Sequence, residues 1–315
     1  MLLGMSNLAA QLDASERDRG QAAPGGRGHV IGNLADAGKV RYRPIIMLIV
    51  SGTALIAAIV IGTAITILNL RDSALVGSER ELANTALLIA KYADHEIEEL
   101  DAVQNSLIEE MRSLGNVSSE DFERKMSGVD VHSMLKHKIS GLSHIGSVAL
   151  INSDGMLTNT SLEWPFPAIN AADRNYFKAF KSDAQLTSFV SEPIRGRRTG
   201  NWTIVFARKI TAPNGEFLGV VRGTIDLQYF ENFFESVILG EGSSISLFRN
   251  DGTLLVRYQR IEPTIGHVFK GAIDVRQRGT TRLVGKMDGK DRLLASQRLD
   301  HFPLFISVGW TSLPL

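Results

Sequence analysis

Apolar residues fall into three successive regimes along this chain, and each regime predicts a different element. The first is an unbroken run. From Ile45 to Leu68, IIMLIVSGTALIAAIVIGTAITIL, 24 residues pass without a charge. As a helix the run reaches roughly 36 Å, against a hydrocarbon core of about 30 Å, so one tilted span fits. It is too long for the apolar part of a signal peptide, and no small-residue cleavage site follows it. An uncleaved transmembrane signal anchor over residues 44–70 is therefore expected. Arg27, Lys39, Arg41 and Arg43 lie on its N-terminal side, against Arg71 and Arg80 beyond it, and the positive-inside bias places residues 1–43 in the cytoplasm and the rest outside. Residues 1–43, with APGGRGHVIGN and many small residues but no apolar period, read as a flexible tail.

The second regime spans residues 71–111. Leu75, Leu82, Ala86, Ile89, Ala93, Leu100, Val103, Leu107 and Met111 recur near a spacing of seven, with Glu and Lys between them. This predicts a stalk helix of about 60 Å with a heptad-like seam. The seam offers a homodimer contact near the membrane and an intramolecular one further up. A second helical stretch is expected over about 120–140.

The third regime has period two. SVALINSDGMLTN reads as strand, tight turn and strand; a short helix follows from about Asp173 to Phe180, then SFVSEP, WTIVFARKIT, a turn at Pro213-Asn214-Gly215, and FLGVVRGTI. Asp226 to Val237 reads as a helix with Phe230, Phe233, Phe234 and Val237 on its apolar face. The pattern then repeats. ISLFRNDGTL from Ile245 aligns without a gap on VALINSDGML from Val148, 97 residues earlier, and ASQRLDHFPLFISVGW echoes FARKITAPNGEFLGVVRG. Two echoes in one order predict a duplicated sheet module. The fold class is α+β: a transmembrane helix, a long amphipathic helix and two tandem modules built on antiparallel sheets.

Composition narrows the functions. Lys plus Arg and Asp plus Glu each number 34 in 315 residues, so net charge is zero and no nucleic-acid partner is expected. There is no cysteine, which excludes disulfides, thiolate metal sites and thiol nucleophiles. Gly32 to Lys39, GNLADAGK, has five residues between its glycines and is followed by Val40, so it is not a phosphate-binding loop. His132, His137 and His144, five and seven apart, do not share a helical face, and no metal site is expected. No G-x-S-x-G or H-E-x-x-H pattern gives hydrolysis a handle, which leaves an anchored hydrolase as a distant alternative.

The anchor and long helix, followed by AADRNYF, WTIVFARKI, NGEFLGVVRGTIDLQYF and ISLFRNDGTLLVR, resemble the double Cache family of extracytoplasmic sensor domains over residues 72–312. The resemblance implies two PAS-like modules on a long helix: a membrane-distal ligand-binding one at 112–236 and a membrane-proximal one at 237–315. It implies a periplasmic sensor anchored by a single pass in the inner membrane of a bacterium, with a small-molecule ligand and no cofactor. Such sensors belong to histidine kinases, diguanylate cyclases or chemoreceptors. No apolar run follows Trp310 and the sequence stops at Leu315, so no output domain and no enzyme activity are expected in this polypeptide. A ligand-free dimerisation module of a truncated receptor is the alternative.

The resemblance also nominates site residues. Arg174, Tyr176 and Phe177 match the Arg and two aromatics with which amino-acid and carboxylate-binding members border the distal pocket, the guanidinium gripping a carboxylate. The plainer reading pairs Arg174 with a nearby acid and puts both rings in the core. Where amine-binding members carry an Asp, alignment places Thr224, with Asp226 two residues on, which favours a carboxylate lacking an amine. Trp202 and Phe206 share one strand face and either wall the pocket or fill the core. Arg195, Arg197 and Arg198 read as a solvated hairpin tip.

Overall fold

The computed structural model describes residues 42–115, 118–196, 200–237, 240, 242–269, 280–285 and 287–311. The predicted tail, apart from its last two residues, lies outside them, as do Arg197 and Arg198. The chain divides into two units, residues 1–67 and 68–315, each taken by itself.

One helix, α1 (Tyr42–Ser113), runs through both of the first two regimes. Its single proline, Pro44, stands in the first turn, where a missing N–H breaks no helical bond. Its apolar stretch has a mean hydropathy of 2.7, is long and apolar enough to cross a membrane, and buries nothing within the chain. In the second unit the heptad-like seam is consumed internally: Leu82, Ala86, Ile89, Ala93, Leu100, Leu107 and Met111 are all buried in the main core.

The stretch expected as one helix over 120–140 is two, α2 (Ser119–Met126) and α3 (Val129–Lys138). Gly128 breaks it by taking extended backbone at the N-cap of α3. The Asn159 amide stabilises the break by donating to the carbonyls of Met126 and Gly128 at 2.8 and 2.9 Å.

The first sheet comprises β1 (Ile145–Asn152), β2 (Leu157–Thr160), β3 (Ser188–Val190), β4 (Ile194–Arg195), β5 (Trp202–Thr211) and β6 (Phe217–Asp226), in the order β2-β1-β6-β5-β3, with β4 also on β5. Helix α4 (Asn175–Ser182) covers one face, and α5 (Leu227–Ser236) leads onward. The second sheet comprises β7 (Ser244–Arg249), β8 (Leu254–Tyr258), β9 (Thr280–Val284), β10 (Asp291–Arg298) and β11 (Leu304–Trp310), in the order β8-β7-β11-β10-β9. With β4 set aside, each sheet runs second, first, fifth, fourth, third. The repeat reaches the register: a bulge falls between Leu150 and Ile151 and again between Leu247 and Phe248. The Asp-Gly turns carry Gly155 at φ 87 and Gly252 at φ 88, left-handed values that glycine reaches at little cost.

Alternation sorts the first sheet's side chains into two layers. Val148, Leu150, Ile204, Phe206, Val221 and Ile225 join the core that α1 completes. Ile151, Val205, Ala207 and Val220 face α4 with Tyr176, Phe177 and Phe180. Close approach of α1 depends on Gly223: a Cβ there would lie 2.3 Å from Leu100 Cδ1. Beside this contact, Gln104 Nε2 donates to the Phe206 carbonyl at 2.8 Å, and Arg208 grips Asp101 through Nε and through Nη2, the latter at 2.8 Å. About two and three turns earlier, α1 holds the β10–β11 turn. Asp94 accepts from the His301 backbone N–H at 3.2 Å and lies 2.7 Å from its Nδ1, while Lys91 pairs with Asp300.

Overpacking at Gly223 should be costly. Gly223→Ala is expected to lose about 1–3 kcal/mol in chemical unfolding, and the same change in a Leu100→Ala background should cost nothing, because the clashing methyl groups are gone. The His301 contact gives a pH signature. Its hydrogen bond to Asp94 raises the imidazole pKa above the ordinary 6.5, desolvation opposes, and the charges of Asp94, Glu98 and Asp300 add to the rise. A raised folded pKa means the contribution is complete below the unfolded value and is lost as pH rises through the folded one. The stability gap between the wild type and His301→Gln, measured from about pH 5 to about pH 9, should therefore narrow toward the alkaline end.

Candidate functional site

Between the first sheet and α4 lies a cavity of about 250 Å³, slightly below the range of roughly 300–1,000 Å³ typical of drug-sized sites. Its size suits a small metabolite. Strand β6 supplies its floor through alternation: Arg222, Thr224 and Asp226 point in, while Val221, Gly223 and Ile225 point to the α1 side. Gly146 and Ser147 enter from β1, Thr203 from β5, and Arg174 and Tyr176 from the start of α4. Arg195 lines the mouth.

Arg222 governs the electrostatics. Its side chain is half-buried and lines the cavity. Burial lowers its pKa from the ordinary 12.5; Tyr176 opposes that shift, and the positive charge of Arg174 adds to it. Among the described residues no carboxylate forms an ion pair with Arg222 or Arg174. Asp226, the one acid of the lining, is already engaged: it caps α5 by accepting from Gln228 N–H at 2.9 Å and accepts from Asn201 Nδ2 at 3.0 Å. The Thr224 hydroxyl is 2.9 Å from Ser147 Oγ, within the floor's own hydrogen bonding. Among the described residues, two guanidinium groups without an ion-pairing acid thus line one small cavity, an arrangement suited to an anion.

Of the residues nominated from sequence, the cavity gathers Arg174, Tyr176, Thr224 and Asp226. Phe177 and Trp202 lie elsewhere. Successive residues of a helix point about 100° apart, so with Tyr176 turned to the cavity, Phe177 packs against Phe217 with ring centroids 5.8 Å apart. Trp202 takes the α1 side of β5, opposite cavity-lining Thr203, and its Nε1 donates to Glu262 at 3.1 Å. Phe206, on the same side, meets Phe302 in the core. Arg195 is exposed, as a solvated tip would be. It stacks 4.9 Å over the Trp202 ring while bordering the cavity. Sequence reading missed Arg222, although an arginine two residues before Thr224 in an otherwise apolar strand shares its face.

The second module's corresponding space measures about 50 Å³ and carries its own counter-charge. Asp288 pairs with Arg257 at 3.1 Å and Arg292 at 2.6 Å. Elsewhere, Glu96 and Glu99 of α1 meet His144 just ahead of β1, and this group has the residue types to hold a metal ion.

The Cache domain profile dCache_1 matches residues 77–312. An extracellular domain assigned to the histidine kinase rpHK1S-Z16 is 29% identical, with 76% of this chain and 96% of that one covered and a TM-score of 0.66. The ligand-binding domain of the Pseudomonas fluorescens chemoreceptor CtaA, solved with L-isoleucine, is 17% identical, covering 77% and 96%, at a TM-score of 0.57. That of the Pseudomonas aeruginosa amino acid chemoreceptor PctB, solved with L-Gln, is 16% identical, covering 74% and 91%, at 0.56. No curated protein matches the chain.

If Arg222 carries an uncompensated charge, Arg222→Met should leave the ligand-free protein as stable as the wild type or more so in thermal unfolding. Arg208→Met, which strands Asp101, should lower the midpoint in the same experiment. With the tandem sheets, the helix that binds them and the profile match in agreement, the chain belongs to the double Cache family of extracytoplasmic sensor domains.

Proposed function

We propose that this chain is the sensing region of a membrane-anchored receptor and that its first module binds a small carboxylate without an amine. The observation that carries the reading is the pair Arg174 and Arg222, two guanidinium groups in one cavity with no ion-pairing acid among the described residues. A carboxylate neutralises both and can accept bidentately from either. An ammonium group finds Asp226 committed to Gln228 and Asn201 and Thr224 bonded to Ser147. The ligands of CtaA and PctB, L-isoleucine and L-Gln, both carry the carboxylate.

In this reading residues 1–43 are cytoplasmic, 44–70 span the inner membrane and 71–111 form a stalk that pairs with a second copy near the membrane. Residues 112–236 are then the membrane-distal, periplasmic ligand module and 237–315 the proximal one. The apolar stretch of α1 with nothing buried against it supports the span. The seam supports a dimer only below Leu82, since above it the seam belongs to the chain's own core.

The test is a thermal-shift series on the detergent-solubilised full chain with acetate, succinate, L-isoleucine, γ-aminobutyrate and putrescine. Carboxylates lacking an amine should stabilise most, saturably, by about 2.7 kcal/mol at a hundredfold excess over Kd. Arg174→Ala and Arg222→Met should each abolish that gain. Absence of saturable stabilisation by every carboxylate, or its survival in the double variant, would sink the proposal.

A further inference from the structure

We infer that Glu96, Glu99 and His144 form a binding site for a divalent transition-metal ion, of which zinc is the representative. The site stands apart from the ligand cavity and does not depend on its reading. Glu96 and Glu99 lie three residues apart on α1 and therefore share a face of the helix. His144 precedes Ile145, the first residue of β1. Each of the three residues presents one ligand atom, and these atoms lie within 4.8 Å of one another.

Two features separate this group from an ordinary surface cluster. Glu96 is 7% exposed and His144 3%, and within these buried residues Glu96 Oε2 and His144 Nε2 have no hydrogen-bond partner. Glu96 Oε2 has only an ion-pair approach of 3.0 Å to His144 Nδ1, and His144 Nε2 one of 3.7 Å to Glu99 Oε2, so neither buried atom has the hydrogen bond that buried polar atoms almost always make. The charge points the same way. The cluster sets two carboxylates against one imidazole, a donor set that a divalent cation matches in charge.

One side chain must move, because the two carboxylates approach different nitrogens of the His144 ring. His144 Nδ1 lies 3.0 Å from Glu96 Oε2, and Nε2 lies 3.7 Å from Glu99 Oε2. Zinc bonds of about 2.0–2.2 Å place neighbouring tetrahedral ligands roughly 3.3 Å apart. The Glu99 side chain is 36% exposed, so it can swing to meet the nitrogen that binds, and it marks the route of entry. One nitrogen and two carboxylate oxygens leave a fourth position open and favour zinc or its first-row neighbours over magnesium or calcium.

A supporting shell surrounds the three. The Tyr92 and Tyr229 hydroxyls are bonded to each other, and the Tyr229 ring lies 5.6 Å from the His144 ring. Burial first, and the adjacent Glu96 carboxylate further, raise the pKa of both phenols, so they remain neutral donors beside Glu96. The other carboxylate and histidine group on α1, Asp94, Glu98 and His301, lacks these features: His301 is 58% exposed in its side chain and is already bonded to Asp94. A metal at Glu96, Glu99 and His144 would tie α1 to the root of β1, two and three residues from cavity-lining Gly146 and Ser147.

The test is a zinc titration of the chelator-treated, detergent-solubilised full chain, followed by calorimetry and by the visible absorption of a cobalt substitute. Saturation at one equivalent is expected, with a raised thermal midpoint and a cobalt band of low-symmetry N/O coordination. His144→Gln and Glu96→Gln should abolish both. Glu99→Gln, at the solvent edge and therefore a safe variant for folding, should weaken zinc by about tenfold or more, while Glu98→Gln should not. No zinc binding would overturn the inference and leave His144 simply packed between the two carboxylates. Weak binding of several equivalents, unchanged in Glu99→Gln and His144→Gln, would overturn it equally.

Discussion

The second unit is organised around the contact of α1 with the bare patch of β6 at Gly223, where Leu100 fits against backbone that any side chain would block. Burying a leucine yields about 1.5–3 kcal/mol, but the contact matters more for what it aligns. With Leu100 seated, Gln104 reaches the Phe206 carbonyl and Asp101 reaches Arg208. Asp94 and Lys91 then fall opposite the turn of the second sheet. A single helix thereby sets the position of both modules, and residues that in another protein would mediate dimerisation are spent as core.

Two sheets of one topology have been given opposite electrostatics. In the second module Arg257 and Arg292, 6% and 5% exposed, share Asp288, and the pocket shrinks to about 50 Å³ around that cluster. In the first, Arg174 and Arg222 share no acid, and about 250 Å³ stays open. Buried guanidinium groups are tolerable only when compensated. One module takes its counter-charge from its own chain. Among the described residues the other takes none, and the proposed carboxylate site rests on that difference.

The sequence discloses the tandem sheets because Asp-Gly turns and bulges are local, and the echo at Val148 and Ile245 predicts even the matched register. It hides the facing of side chains in β5 and β6 for a physical reason. Both strands are covered on both sides, by α1 and by α4, so nearly every position of FLGVVRGTID is buried and the period-two signal vanishes. Without that phase Trp202 reads equally as a cavity wall or as core, and Arg222 gives no sign of facing the cavity. Tyr176 and Phe177 were nominated as a pair, yet neighbouring residues of a helix cannot both face one cavity. The meeting of His144 with Glu96 is long-range, and helix spacing considered alone has no means of finding it.

The same strand explains how occupancy of the cavity could reach the helix. Arg222 and Gly223 are consecutive, and in an extended strand consecutive residues face opposite sides. A ligand drawing Arg222 toward Arg174 therefore pulls on the peptide whose other face supports Leu100. Packed contacts of this kind do not stretch continuously but change between discrete arrangements. Because Gly223 has no side chain to absorb the displacement, backbone movement of β6 is transferred to α1 rather than taken up by rotamers. A ligand biases the helix only to the extent that it prefers one arrangement over the other.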